Sequence, residues 1–240
     1  MGISRFTRAI RRVLPLDHCG AVIVAAGNAT RMGGIDKTMA LLGGEPVIVR
    51  TVRAFQECEV IKEIVVVTRS DLLIPVSDLC HQFSKVTAVV VGGDNRVASV
   101  QNGLNALSAK THLVAVQDGA RPLVSYAVID RTVRAAHSYG AAVPGVPVKD
   151  TIKVVNGGLV SSTPDRKTLQ AVQTPQVFDF DILRGALKKS VEKNWEITDD
   201  CSAVEKLGVR VRIVEGDERN IKITTPMDLK IAEMLLEEMK

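Results

Sequence analysis

The stretch Gly20-Ala21-Val22-Ile23-Val24-Ala25-Ala26-Gly27-Asn28-Ala29-Thr30-Arg31-Met32-Gly33-Gly34 decides the fold class. Its first half is an unbroken apolar run rather than an alternation, so a strand built from it buries both faces, as in a parallel sheet covered by helices. Its second half is small residues, glycines and a cation, and it reads as the turn that leaves the strand's C-terminal end. Comparable short runs recur at residues 64–68, 87–91, 113–117, 141–148 and 209–214. Between them, residues 46–58, 95–107, 125–139 and 179–190 carry apolar side chains at helical spacing. Thr225-Pro226-Met227-Asp228 opens a last helix with an N-cap hydroxyl, a first-turn proline and an acid three residues on. The alternation predicts an α/β, Rossmann-like, mainly parallel sheet with helices on both faces.

One segment, 149–173, breaks that rhythm. Two strand-like runs at 151–155 and 159–162 flank Asn156-Gly157-Gly158, and Asn-Gly predicts a hairpin because both residues accept positive φ. An isolated two-stranded hairpin is marginal in water. The projecting β-hairpin arm is therefore expected to pack on something, and a second subunit is the natural candidate. Residues 1–19 read as a basic extension carrying Arg5, Arg8, Arg11 and Arg12, with no apolar segment of signal-peptide length behind them. Residues 20–240 read as a single domain.

Composition narrows the partners. With 46% hydrophobic and 24% charged residues, the chain is globular rather than disordered. Lys plus Arg number 31 against 27 acids, a net charge of +4. That excess suits local cationic pockets for a polyanionic small molecule better than a nucleic-acid coat. The 3% aromatic content supplies no stacking platform for single strands, so no nucleic acid is expected. No apolar run approaches the roughly 18 residues that span a bilayer, so no membrane is expected either. Cys19, Cys58, Cys80 and Cys201 are scattered without C-x-x-C spacing and read as reduced thiols of a cytoplasmic protein.

Three clusters carry chemistry, each at the end of an expected strand. In the first, Ala25, Ala26 and Gly27 let backbone N–H groups approach a ligand, and Arg31 and Lys37 add full charges. A triphosphate needs that combination, although a glycine-rich turn with two solvated cations reads the same way. A Walker A loop fails because Asp36 stands where Lys37-Thr38 should follow glycine, and a dinucleotide fingerprint fails because Ala29 replaces its middle glycine. The second cluster is Gly92-Gly93-Asp94-Asn95-Arg96-Val97-Ala98-Ser99, in which Ser99 and backbone N–H groups can meet a base or sugar. Asp94 could equally be an N-cap. The third is Gln117-Asp118-Gly119-Ala120-Arg121-Pro122, where Asp118 can hold Mg²⁺, hold a ligand hydroxyl or simply shape a turn.

Taken together with Pro147-Val148-Lys149-Asp150-Thr151, Gln173-Thr174-Pro175-Gln176, Thr198-Asp199-Asp200 and Asn220-Ile221-Lys222-Ile223-Thr224, these clusters resemble the 2-C-methyl-D-erythritol 4-phosphate cytidylyltransferase family from residue 20 to 240. The resemblance implies transfer of a cytidylyl group from CTP to methylerythritol phosphate with Mg²⁺, in isoprenoid precursor synthesis. It also implies a homodimer whose hairpin arms clasp the partner. It assigns Arg31 and Lys37 to the transition state at the α-phosphorus, and places Ala25, Ala26 and Gly27 along the nucleotide. Gly93, Asp94 and Ser99 would read the cytosine, and Asp118, Gly119 and Arg121 would serve ribose, metal and substrate. Lys149 and Lys222 would grip the methylerythritol phosphate. Asp36 departs from the family pattern, which often has proline there. Two other readings remain open: transfer to another polyol phosphate such as ribitol 5-phosphate, and non-catalytic nucleotide binding. The physics favours catalysis, because two unit charges 4 Å apart repel by about 4 kcal/mol at an effective dielectric near 20, and a pure binder has no need of four cations to offset it.

Overall fold

The computed structural model describes residue 16, residues 18–27 and residues 36–239. The expected central run forms β1 (Cys19–Val24), flanked on one side by β4 (Ile61–Thr68) and β5 (Val86–Val91), and on the other by β6 (Leu113–Asp118), all parallel. Between β1 and β4 lie a small hairpin, β2 (Leu41–Leu42) with β3 (Glu45–Pro46), and helix α1 (Val47–Glu57). Helix α2 (Leu73–Cys80) joins β4 to β5, α3 (Arg96–Ala106) joins β5 to β6, and α4 (Tyr126–Tyr139) leads to β7 (Ala141–Pro147). The arm hairpin, β8 (Val154–Asn156) with β9 (Leu159–Ser162), is followed by β10 (Gln170–Val172) and β11 (Gln176–Asp179). Helices α5 (Phe180–Glu192) and α6 (Asp200–Lys206), strand β12 (Arg212–Glu215) and helix α7 (Pro226–Glu238) complete the order.

The main sheet runs β10-β7-β11-β6-β1-β4-β5, with β12 parallel to β7. Alternate residues of β1 serve two cores. Ala21 and Ile23 pack with Val52, Phe55, Ile129 and Val133 under α1 and α4, while Val22 packs with Val100, Leu104, Phe178 and Leu187 under α3 and α5. Both faces are buried, as the continuous apolar run predicts, and each fully buried large side chain contributes roughly 1.5–3 kcal/mol.

Three details differ from the sequence expectation. Strand β11 inserts antiparallel between β6 and β7, because the arm reverses the chain before it rejoins the sheet. In the arm, Asn156 stays in strand register with Leu159, and the positive φ values belong to Gly157 and Gly158, at 56° and 82°. The turn is thus Gly-Gly, two residues without a Cβ to clash in that region. Helices α2 and α6 have no counterpart among the expected elements. The expectation for residues 1–19 lies almost wholly outside the described residues.

Candidate functional site

Backbone bonds bring the ends of four strands level. Ala25 donates to Val67 O at 2.7 Å, Gly92 to Thr68 O at 2.8 Å, and Gly119 to Val24 O at 2.8 Å. The three loops read as chemical clusters therefore leave the sheet side by side. They enclose a cavity of about 220 Å³ whose lining includes Ala25, Ala26, Gly27, Lys37, Gly93, Asp94, Ser99, Asp118 and Lys222.

The Gly93 loop is shaped by Ser99. Its hydroxyl accepts the Gly93 N–H at 3.1 Å and donates to Asn95 O at 2.9 Å, folding the loop onto the first turn of α3. A Cβ on Gly93 would stand 2.4 Å from the Ala98 Cβ, so only glycine fits. The N-cap of α3 is Asn95, which accepts the Ala98 N–H at 2.9 Å; Asp94 is left to line the cavity.

Asp118 ends β6 and is buried, yet three cations converge on it. Arg96 Nη1 lies 2.8 Å from Oδ1, and Lys222 Nζ 2.8 Å and Arg121 Nε 3.5 Å from Oδ2. Burial alone would raise the Asp118 carboxyl, but Arg96, Lys222 and Arg121 outweigh it and hold the group below the usual carboxylate range. The other fork of Arg96, Nη2, takes the fully buried Asp200 at 2.8 Å. Burial raises the Asp200 carboxyl, and Arg96 only partly offsets that. Thr174 accepts the Asp118 N–H at 3.1 Å, and Arg121 Nη1 donates to Asn220 O at 2.6 Å. The buried Asn220 amide donates to Thr174 O at 2.9 Å, which fixes the loop leading to Lys222.

Sequence reasoning assigned no role to Arg96, Asp200 or Asn220, although their motifs were visible. Of the expected cations, Lys37 and Lys222 share the cavity and Arg121 borders it. Arg31 lies outside the described residues. Lys149 is not brought to the same place: it is exposed, pairs with Glu218 at 2.5 Å, and lines a neighbouring cavity of about 420 Å³ with Arg121, Gln173 and Asn220. A narrower cleft holding Arg96, Asp118, Arg121, Gln173 and Lys222 joins the two cavities into one trench. A larger cavity of about 680 Å³, lined by Ser108, His112 and Arg184, includes none of these cations. The trench can hold two anionic groups against one another, with Asp118 orienting the cations between them.

The model of the family described as 2-C-methyl-D-erythritol 4-phosphate cytidylyltransferase matches residues 19–238. The enzyme of that name from Caldanaerobacter subterraneus subsp. tengcongensis is 43% identical over 228 residues, covering 91% of this chain and 99% of the relative. The crystal structure of 4-diphosphocytidyl-2C-methyl-D-erythritol synthase from Anaerococcus prevotii is similar with a TM-score of 0.84 at 29% identity, covering 92% of this chain and 96% of that one. The structure of 2-C-methyl-D-erythritol 4-phosphate cytidylyltransferase from Thermus thermophilus has a TM-score of 0.76 at 34% identity, covering 90% and 98%.

Proposed function

Because the chain belongs to the 2-C-methyl-D-erythritol 4-phosphate cytidylyltransferase family, we propose that its reaction runs in the trench centred on Asp118. The enzyme transfers the cytidylyl group of CTP to 2-C-methyl-D-erythritol 4-phosphate and releases pyrophosphate, a step of isoprenoid precursor synthesis. An oxygen of the acceptor phosphate forms a bond to the α-phosphorus, and the bond from that phosphorus to the bridging oxygen breaks. Pyrophosphate carries away the electron pair. The nucleophile is already anionic, so no general base is required; the barrier is repulsion and alignment.

CTP takes the cavity of Ala25, Ala26, Gly27, Gly93, Asp94 and Ser99, with Gly119 beside it and Lys37 at the phosphates. Arg31, expected from the resemblance, would act with Lys37. The acceptor enters from the Arg121 side, where Lys222 and Arg121 meet its phosphate and Lys149 waits at the outer rim. The observation that carries this assignment is the convergence of Arg96, Arg121 and Lys222 on one buried carboxylate where the cavities meet.

Among the described residues no three His, Cys, Asp or Glu side chains gather into a metal cage. Magnesium needs only one or two carboxylates when phosphates complete its shell, and the ionised Asp118 at the cavity wall fits that requirement. The ion would supply charge neutralisation along the triphosphate. The dimer belongs to this reading too: Val154, Val155, Leu159 and Val160 of the arm are all exposed, and a partner surface would bury them. A cytoplasmic location accords with the four described cysteines being free thiols. Among the described residues no helix is long and apolar enough to cross a membrane.

The test is pyrophosphate release by the full chain with CTP, Mg²⁺ and methylerythritol phosphate, against ribitol 5-phosphate in parallel. Lys222→Ala is expected to raise the KM for the acceptor at least tenfold more than that for CTP, of the order expected for losing one charged contact. An equal effect on both substrates would remove Lys222 from the acceptor's side of the trench.

A further inference from the structure

We propose that Asp36 and Arg69 form a positioning pair that sets the reach of Lys37 into the nucleotide cavity, an inference that rests on Lys37 acting on the triphosphate. Asp36 Oδ1 accepts both the Thr38 N–H, at 2.8 Å, and the Thr38 hydroxyl, at 2.5 Å. Its Oδ2 accepts from Arg69 Nη1 at 2.7 Å. Arg69 is itself clamped, since its Nε and Nη2 donate to the two oxygens of Asp71 at 2.9 and 2.6 Å. The Asp36 carbonyl takes the N–H groups of Met39 and Ala40, and the carbonyl of the buried Thr38 takes the Ile48 N–H in the first turn of α1.

Lys37 is therefore the residue between two anchored neighbours. Its Nζ sits beside Gly27, 3.9 Å from where a Cβ on that glycine would stand, at the cavity wall. Arg69 directly follows β4, so the pair ties the chain entering the small β2–β3 hairpin to the end of a central strand. Neither Asp36 nor Arg69 lines the trench, so neither touches substrates held there. A lysine ammonium rides on a flexible four-carbon stem, and its worth at a reacting phosphate depends on where its backbone is held. The Asp36 carboxylate fixes that backbone locally through Thr38 and globally through Arg69.

The test is steady-state kinetics of the full chain with CTP, Mg²⁺ and methylerythritol phosphate. Asp36→Ala is expected to lower kcat about tenfold and Arg69→Met about threefold, with the KM for CTP within about twofold, as for misplacement of a group that acts in the transition state. Asp36→Asn keeps an acceptor for Thr38 and loses the ion pair, so it should fall with Arg69→Met. The deciding comparison is Lys37→Ala against Lys37→Ala with Asp36→Ala, which should have the same kcat because the pair acts only through Lys37. A further loss of about tenfold in the double variant, or an unimpaired Asp36→Ala and Arg69→Met beside a slow Lys37→Ala, overturns the pairing alone. A Lys37→Ala enzyme with unchanged kcat withdraws the reading of Lys37 and the pairing with it. Should Asp36→Ala fail to fold, Arg69→Met leaves the Thr38 bonds in place and decides by the same comparison.

Discussion

The junction at Asp118 and the arm at Gly157 are opposite solutions to the same difficulty, polar and apolar groups that need partners. At the junction, every charge is met by another from the same chain: Arg96 joins Asp118 to Asp200, and Lys222 and Arg121 complete the shell. In the arm, Val154, Val155, Leu159 and Val160 face solvent, and among the described residues the two strands pair only with each other. One region finds its ion-pair partners among its own residues, and the other leaves apolar side chains exposed. The junction should therefore respond to mutation through stability and chemistry together, and the arm with little effect on the stability of the body.

The largest effect is expected from Arg96→Met, which leaves two buried carboxylates short of their shared cation. Breaking such a pair costs about 3 kcal/mol or more, read as a lower urea midpoint, and pyrophosphate release should fall with it. The pH dependence gives a second reading. Asp118 is held below its ordinary value, so its stabilising contribution is present above the unfolded carboxylate pKa of about 3.9 and fades as pH falls through the folded value. Removing Arg96 moves that folded value upward, so acid unfolding should begin at higher pH in the variant. An unchanged acid limb would mean that Lys222 and Arg121 suffice.

The junction was also the harder region to read from sequence. The strands were plain because 20–26, 64–68 and 113–117 are continuous apolar runs, and only a sheet buried on both sides demands that. Asp118 and Lys37 were legible as strand-end chemistry, and Lys222 through the family resemblance. Arg96 was not, because its two partners lie 22 and 104 residues away in sequence and nothing local announces them. Strand β11 escaped for a related reason: Gln176 looks like a surface residue, but it is buried and bonded to Asp199 and to the Cys201 N–H. Helix α6 did leave a trace in the sequence, the capping box of Asp199 with Ser202. The Gly-Gly turn of the arm was misplaced by one residue because Asn156-Gly157 and Gly157-Gly158 both satisfy the requirement for positive φ.

Leu159→Asp comes next in expected size. It places a charge on the most exposed apolar side chain of the arm, 76% exposed, so a free monomer should tolerate it. If the arm meets a second subunit, the desolvated carboxylate should shift the sedimenting species from dimer to monomer, with little change in the melting midpoint of the body. A loss of stability measured equally at low and high protein concentration would instead place Leu159 in the monomer's own packing.

The smallest effect separates the two regions most cleanly. Gly158 sits at φ 82°, and nothing lies within 4 Å of where its Cβ would be, so Gly158→Ala meets conformational strain and no clash. The strain is about 1 kcal/mol. In a cooperative body it would appear in full in the global unfolding free energy. In an arm that contacts little of its own chain it opens only the hairpin, so global stability should stay within error while amide exchange at Asn156 and Leu159, the pair that closes the turn, accelerates about fivefold, the equivalent of that strain. A full loss in the global midpoint would show the arm to be part of the folded body, and the contrast with the Asp118 junction would fail.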